Sequence, residues 1–116
     1  MYNREARKRK QKPEAREWLE NNENEYAFAS NHFGSTDEAL VFVDNLYSAG
    51  AKYVAVSDVY DDAGRISEEG GPYSATLEVT IPNNADVALV VMVVVASGHP
   101  DEIDVIKDLT VRLWWD

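Results

Sequence analysis

Residues Ser74–Ile81 alternate without a break: Ala75, Leu77, Val79 and Ile81 on one side, Ser74, Thr76, Glu78 and Thr80 on the other. Successive strand side chains point to opposite faces, so this is the pattern of a strand with one buried and one open face. Such a strand needs sheet partners and an apolar cover on one side only. Pro82, which cannot donate to a ladder, ends it.

The best cover is the segment after Gly34. Ser35 stands three residues before Glu38, the spacing of a capping box, and Asp37 places negative charge where the helix dipole favours it. Ala39, Phe42, Val43 and Leu46 then form a helical stripe, widened by Leu40 and Tyr47, and Gly50 supplies the left-handed position past the end. These signals predict a helix over 36–49. A shorter helix is expected over Glu14–Asn21, with Ala15, Trp18 and Leu19 on one stripe and Pro13 at or before its first turn.

Three further strands are expected. Glu25–Ser30 would set Tyr26 and Phe28 on one face and Ala27 and Ala29 on the other. Lys52–Tyr60 is rich in Val and Tyr and reads as largely buried. Leu109–Trp115 places Val111, Leu113 and Trp115 opposite Thr110, Arg112 and Trp114. Asp61-Asp62-Ala63-Gly64 and Glu69-Gly70-Gly71-Pro72 read as turns. Asp86–Ser97 is ambiguous by composition. Its valines favour a strand, whereas its length, Asn83 and Asn84 before it, Asp86 in a first turn and Gly98 after it favour a helix.

Element order favours the helix. After the leading N-terminal helix the chain then reads βαββαβ, the ferredoxin-like arrangement: an α+β fold with a four-stranded antiparallel sheet and two helices on one face. The alternative is a five-stranded sheet with 86–97 as a strand and Pro100–Asp108 as the second helix, since Ile103, Ile106 and Leu109 recur at three-residue spacing. A chain of 116 residues with 45% hydrophobic side chains is expected to form one domain, here 13–116, behind a basic arm, 1–12.

The arm holds Arg4, Arg7, Lys8, Arg9, Lys10 and Lys12 against Glu5, a net of +5, while 13–116 carries −15. A body so acidic repels phosphate backbones and anionic membranes, which argues against nucleic acid as a partner. The longest apolar run, Val87–Ala96, spans 10 residues, where a membrane helix needs about 20. The residues after the arm are polar and acidic where a secretory signal would be apolar, so a cytoplasmic location is expected. The chain has no cysteine, which excludes disulfides, thiolate zinc sites and thiol catalysis.

Candidate chemistry is sparse. His32 and His99 are the two histidines, each in a predicted loop, and a two-histidine metal site would need those loops to converge. Asp58, Asp61, Asp62, Glu68 and Glu69 crowd a strand end and loop; their spacing departs from an EF-hand, so they read as a solvated acidic surface able to steer a basic partner. Ser30, His32 and Asp37 lack the Gly-x-Ser-x-Gly elbow of a hydrolase, and the glycines lack the Lys-Ser/Thr of a phosphate loop. No cofactor is indicated.

The sheet's open face and the valine run point instead to association. Thr76, Glu78 and Thr80 should lie with Thr110, Arg112 and Trp114, and Trp114 needs a cover: the leading helix through Trp18, or a partner chain. A helix on a small sheet buries one stripe of itself, so some of Val87, Val90, Val91, Val94 and Val95 must face outward, which predicts a homodimer or another protein partner. The expected function is a non-catalytic interaction module binding itself or a basic protein surface, through Trp18, Val90, Val91, Val94, Val95 and Trp114 or through Asp61, Asp62, Glu68 and Glu69. The alternative is a metal- or small-molecule-binding enzyme using His32, His99 and the carboxylates of 58–69.

Overall fold

The Ser35 hydroxyl accepts the Glu38 N–H at 3.2 Å and opens helix Thr36–Ser48, which ends as its glycine demands. Gly50, at φ 113°, donates to the Tyr47 carbonyl and Ala51 to that of Leu46, closing the last turn. Ala39, Phe42, Val43 and Leu46 are buried beneath it. A computed structural model describes residues 12–83, 87–107 and 109–116, with the backbone alone at Glu69. The basic arm other than Lys12, the capping candidate Asn84 and the first-turn Asp86 lie outside the described residues.

The elements run in the order α1 (Ala15–Glu20), α2 (Ser30–Phe33), α3 (Thr36–Ser48), β1 (Tyr53–Ser57), α4 (Ala63–Glu69), β2 (Thr76–Thr80), α5 (Val87–Val93), β3 (Glu102–Lys107) and β4 (Thr110–Trp114). Beyond α5 the chain continues as a π-helical turn, Val94–Gly98. Among the described residues this is an α+β fold with four strands in one antiparallel sheet, in the order β1-β2-β4-β3.

The expected ferredoxin-like order does not emerge, for two reasons. Residues 25–30 do not form a strand. Thr36 draws that segment to the start of α3: its N–H donates to the Glu25 carbonyl, and its hydroxyl donates to the Asn24 carbonyl and accepts from Ala27. Ala29 then turns left-handed at φ 40° and α2 begins, leaving a single parallel bridge between Phe28 and Ser74. Tyr26 is exposed while Phe28 is buried, so the two do not share a face. The second reason is an additional strand at 102–107, which pairs with β4 and ends the sheet.

The Val-rich run is helical, as element order favours. The turns expected at 61–64 and 69–72 bracket a helix, α4, which Asp62 caps by accepting the Arg65 N–H at 3.2 Å. The core lies on one side of the sheet. Val54, Val56, Leu77, Val79, Leu113 and Trp115 meet Leu19, Phe28, Phe33, Phe42, Leu46, Val90 and Val94 from the helical side.

Candidate functional site

The helical period divides the valine run. Val90 and Val94, one turn apart, are 0% and 5% exposed and belong to the core. Of the valines expected at an interaction surface, these two are therefore inside the protomer. Val91 and Val95 point outward with Leu89 and Met92, and Met92 is 62% exposed. Beside them the end of α3 leaves an open groove of about 500 Å³, lined by Asn45, Ala49, Leu89, Met92, Val93 and Ala96.

A second set of exposed apolar side chains lies in β3, where every residue is exposed. Ile103 and Val105 pair with Leu113 and Val111 of β4 and so share the helix-covered side of the sheet. The cover does not reach them: Val105 is 78% exposed. The alternation Glu102-Ile103-Asp104-Val105 is the sequence signal for this strand, hidden by the competing three-residue spacing of Ile103, Ile106 and Leu109.

The other face of the sheet carries the expected row. Thr76 pairs with Trp114, Glu78 with Arg112 and Thr80 with Thr110. Asp104 stands on the far side of Arg112. The guanidinium bonds Asp58 at 2.8 Å and lies 3.9 Å from Asp104, so its pKa is raised, chiefly by the bond to Asp58. Lys12 bonds Glu78 on the same face. Trp114 is half-buried on this face and pairs with Thr76 and Glu102. Trp18 does not reach it. Ala15 and Leu19 of α1 are buried in the core, which holds Trp18 in the helical layer. There it borders a groove of about 530 Å³ with Pro13, Glu17, Asn21, Ile66 and Pro72.

His32 and His99 do come together. Their ring centroids are 6.0 Å apart and His32 lies 6.5 Å from Trp115, stacked over it. His32 Nε2 is 3.4 Å from the Ser97 carbonyl, and both imidazoles are exposed. The acidic residues do not join them: Asp58 pairs with Arg112, Asp62 caps α4, and Asp61 and Glu68 face outward. The side chain of Glu69 lies outside the described residues. Among the described residues no three His, Asp or Glu side chains gather closely enough to hold a metal ion.

A polar node that the sequence reading missed lies at Tyr47. Its hydroxyl donates to Glu14 Oε2 at 2.7 Å and accepts the Val54 N–H at 3.0 Å. Burial, and then the bond to Glu14, push its pKa up to about 12. Glu14 also caps α1 by accepting the N–H groups of Arg16 and Glu17. No sequence motif announces this node, because its members are brought together only by the fold.

No helix among the described residues is long and apolar enough to cross a membrane. The chain matches no protein-family model, no curated protein and no solved structure.

Proposed function

We propose that this chain is a non-catalytic protein-interaction module, a small acidic α+β domain that binds a second copy of itself or a basic protein surface. The observation that carries the reading is the run of outward apolar side chains on consecutive elements: Leu89, Val91, Met92 and Val95, then Ile103 and Val105. Monomeric proteins keep exposed apolar patches small, and larger ones mark interfaces. The surplus of carboxylates in 13–116 adds long-range attraction for a basic partner. Nucleic acid is left out because carboxylates at 58, 78 and 104 surround the arginine beside Trp114. The absence of cysteine fits a reducing compartment such as the cytoplasm.

Light scattering across a protein dilution series, alone and with poly-lysine as a basic probe, tests the reading. Self-association through apolar side chains should persist as salt rises, whereas poly-lysine binding should weaken. Met92→Glu should reduce the self-association. A chain that scatters as a single protomer at every concentration and ignores poly-lysine would overturn the proposal.

A further inference from the structure

The two edges of the sheet differ. β1 is covered on its outer side: the Val56 N–H donates to the Pro13 carbonyl, the Val54 N–H to the Tyr47 hydroxyl, and Glu14 bridges Ala55. β3 ends the sheet on the other side with every residue exposed. An uncovered edge presents unpaired backbone donors and acceptors to any extended chain.

The register of β3 on β4 fixes which way its side chains face. Glu102 pairs with Trp114, Asp104 with Arg112 and Lys107 with Thr110, so these three take the polar face. Ile103 and Val105 take the helix-covered side. The irregularity between Val105 and Lys107 absorbs Ile106 as an extra residue and returns Lys107 to the polar face.

We infer, resting on the interaction reading above, that β3 pairs antiparallel with β3 of a second copy about a two-fold axis at Asp104, joining both sheets into one. With Ile106 left out of the new ladder as it is left out of the pairing with β4, Glu102 lies opposite Lys107 of the second copy, and Lys107 opposite its Glu102. Ile103 lies opposite Val105 in the same way. A two-fold contact requires a surface complementary to itself, and β3 is such a surface: Glu102 at one end, Lys107 at the other, and between them Ile103 and Val105 on one face, with Asp104 at the centre and Ile106 in the bulge. The central Asp104 meets its own equivalent. Each copy's Arg112 flanks that pair and offsets the like charge.

Other registers fit worse. A one-residue slip between the copies would set Ile103 or Val105 of one opposite Asp104 of the other, joining the apolar side of one sheet to the polar face of the next. Centring on Ile103 would set Glu102 against Asp104 twice, and centring on Val105 would lose the Ile103–Val105 pairs. A bulge and a lysine ordinarily blunt an edge. Here the lysine rejects parallel or displaced neighbours and accepts the reversed copy, so pairing closes as a dimer instead of growing.

Sedimentation velocity on the full chain at low salt tests the assignment. Lys107→Glu and Glu102→Lys should each weaken the dimer about tenfold, and the chain carrying both reversals should recover it. Both positions are exposed, so the folded protomer should keep its circular dichroism. A wild-type chain that stays monomeric throughout the dilution, or a dimer indifferent to both single reversals, overturns the inference. A dimer indifferent to these reversals but dissolved by Met92→Glu, or a monomer that still binds poly-lysine, sinks the β3 pairing and leaves the interaction reading intact. Loss of self-association and of poly-lysine binding together sinks both.

Discussion

The Tyr47 hydroxyl joins three elements, since Glu14 begins α1, Val54 lies in β1 and Tyr47 itself stands in α3. Removing that oxygen leaves the Val54 N–H without its acceptor and takes from Glu14 one of its three donors, the N–H groups of Arg16 and Glu17 remaining. Tyr47→Phe should therefore cost about 1–3 kcal/mol, read as a shift in the urea midpoint. The contribution also depends on pH. The hydroxyl ionises near its ordinary 10.0 in the unfolded chain but at about 12 in the fold. The folded state holds this proton more tightly, so the stabilisation is complete below pH 10 and is lost as pH rises toward 12. The gap in stability between wild type and Tyr47→Phe should narrow across that interval, and the difference between the two chains removes the contribution of the other tyrosines. A gap constant with pH would show that the hydroxyl has no such role. From sequence, Tyr47 reads only as a widening of the helix stripe. Its ring obeys the 3.6-residue period, but its hydroxyl partners are set by packing.

Elements built from local signals were legible, and those built from distant ones were not. The cap at Ser35, the stripe of α3 and the alternation of β2 and β4 each lie within a few residues, where periodicity and capping chemistry act directly. The segment 25–30 carries a strand-like composition, yet its backbone groups are taken by Thr36 and Ser74, a choice made between segments rather than within one. The same holds for the end of α5. The turn Val94–Gly98 widens to π, with the His99 N–H reaching the Val94 carbonyl, and the Gly98 carbonyl accepts the indole N–H of buried Trp115 at 2.7 Å. Gly98 reads in sequence as a plain stop signal. In the fold it is a point of close approach, where a β-carbon would stand 2.7 Å from Phe42 Cζ. Phe42 is itself wedged between Phe33 and Trp115, with ring centroids at 5.2 and 5.9 Å, and has little room to yield. Gly98→Ala should thus destabilise the protein by about 1–3 kcal/mol through overpacking. Thermal melts of Gly98→Ala, Phe42→Leu and the double variant check this: the double variant should be more stable than the sum of the single losses. Strict additivity would mean the two positions do not meet.

At the scale of the whole molecule, charge sets two opposing trends. Twenty acidic and five basic residues in 13–116 repel one another in the compact state more than in the extended chain. Against this stand a few attractive pairs, Arg16 with Asp44, Arg112 with Asp58 and Lys12 with Glu78, all at least partly exposed. Exposed pairs contribute about 0–1 kcal/mol each. The unpaired carboxylates outnumber them, and many lie within the ~10 Å over which charges act at 0.1 M salt. Screening should therefore relieve more repulsion than it removes attraction, and the urea midpoint should rise as sodium chloride is raised from low to moderate concentration. The measurement belongs at high dilution, because dimerisation would stabilise the folded chain by mass action and its own salt dependence would be mixed in. At that dilution a midpoint that falls with salt would show that the ion pairs across the open sheet face outweigh the repulsion. The row Glu78–Arg112–Asp104 would then be a structural clamp on β2, β4 and β3. A rising midpoint would instead show that the surplus carboxylates of 13–116 are unbalanced within the protomer, their mutual repulsion outweighing the few exposed pairs.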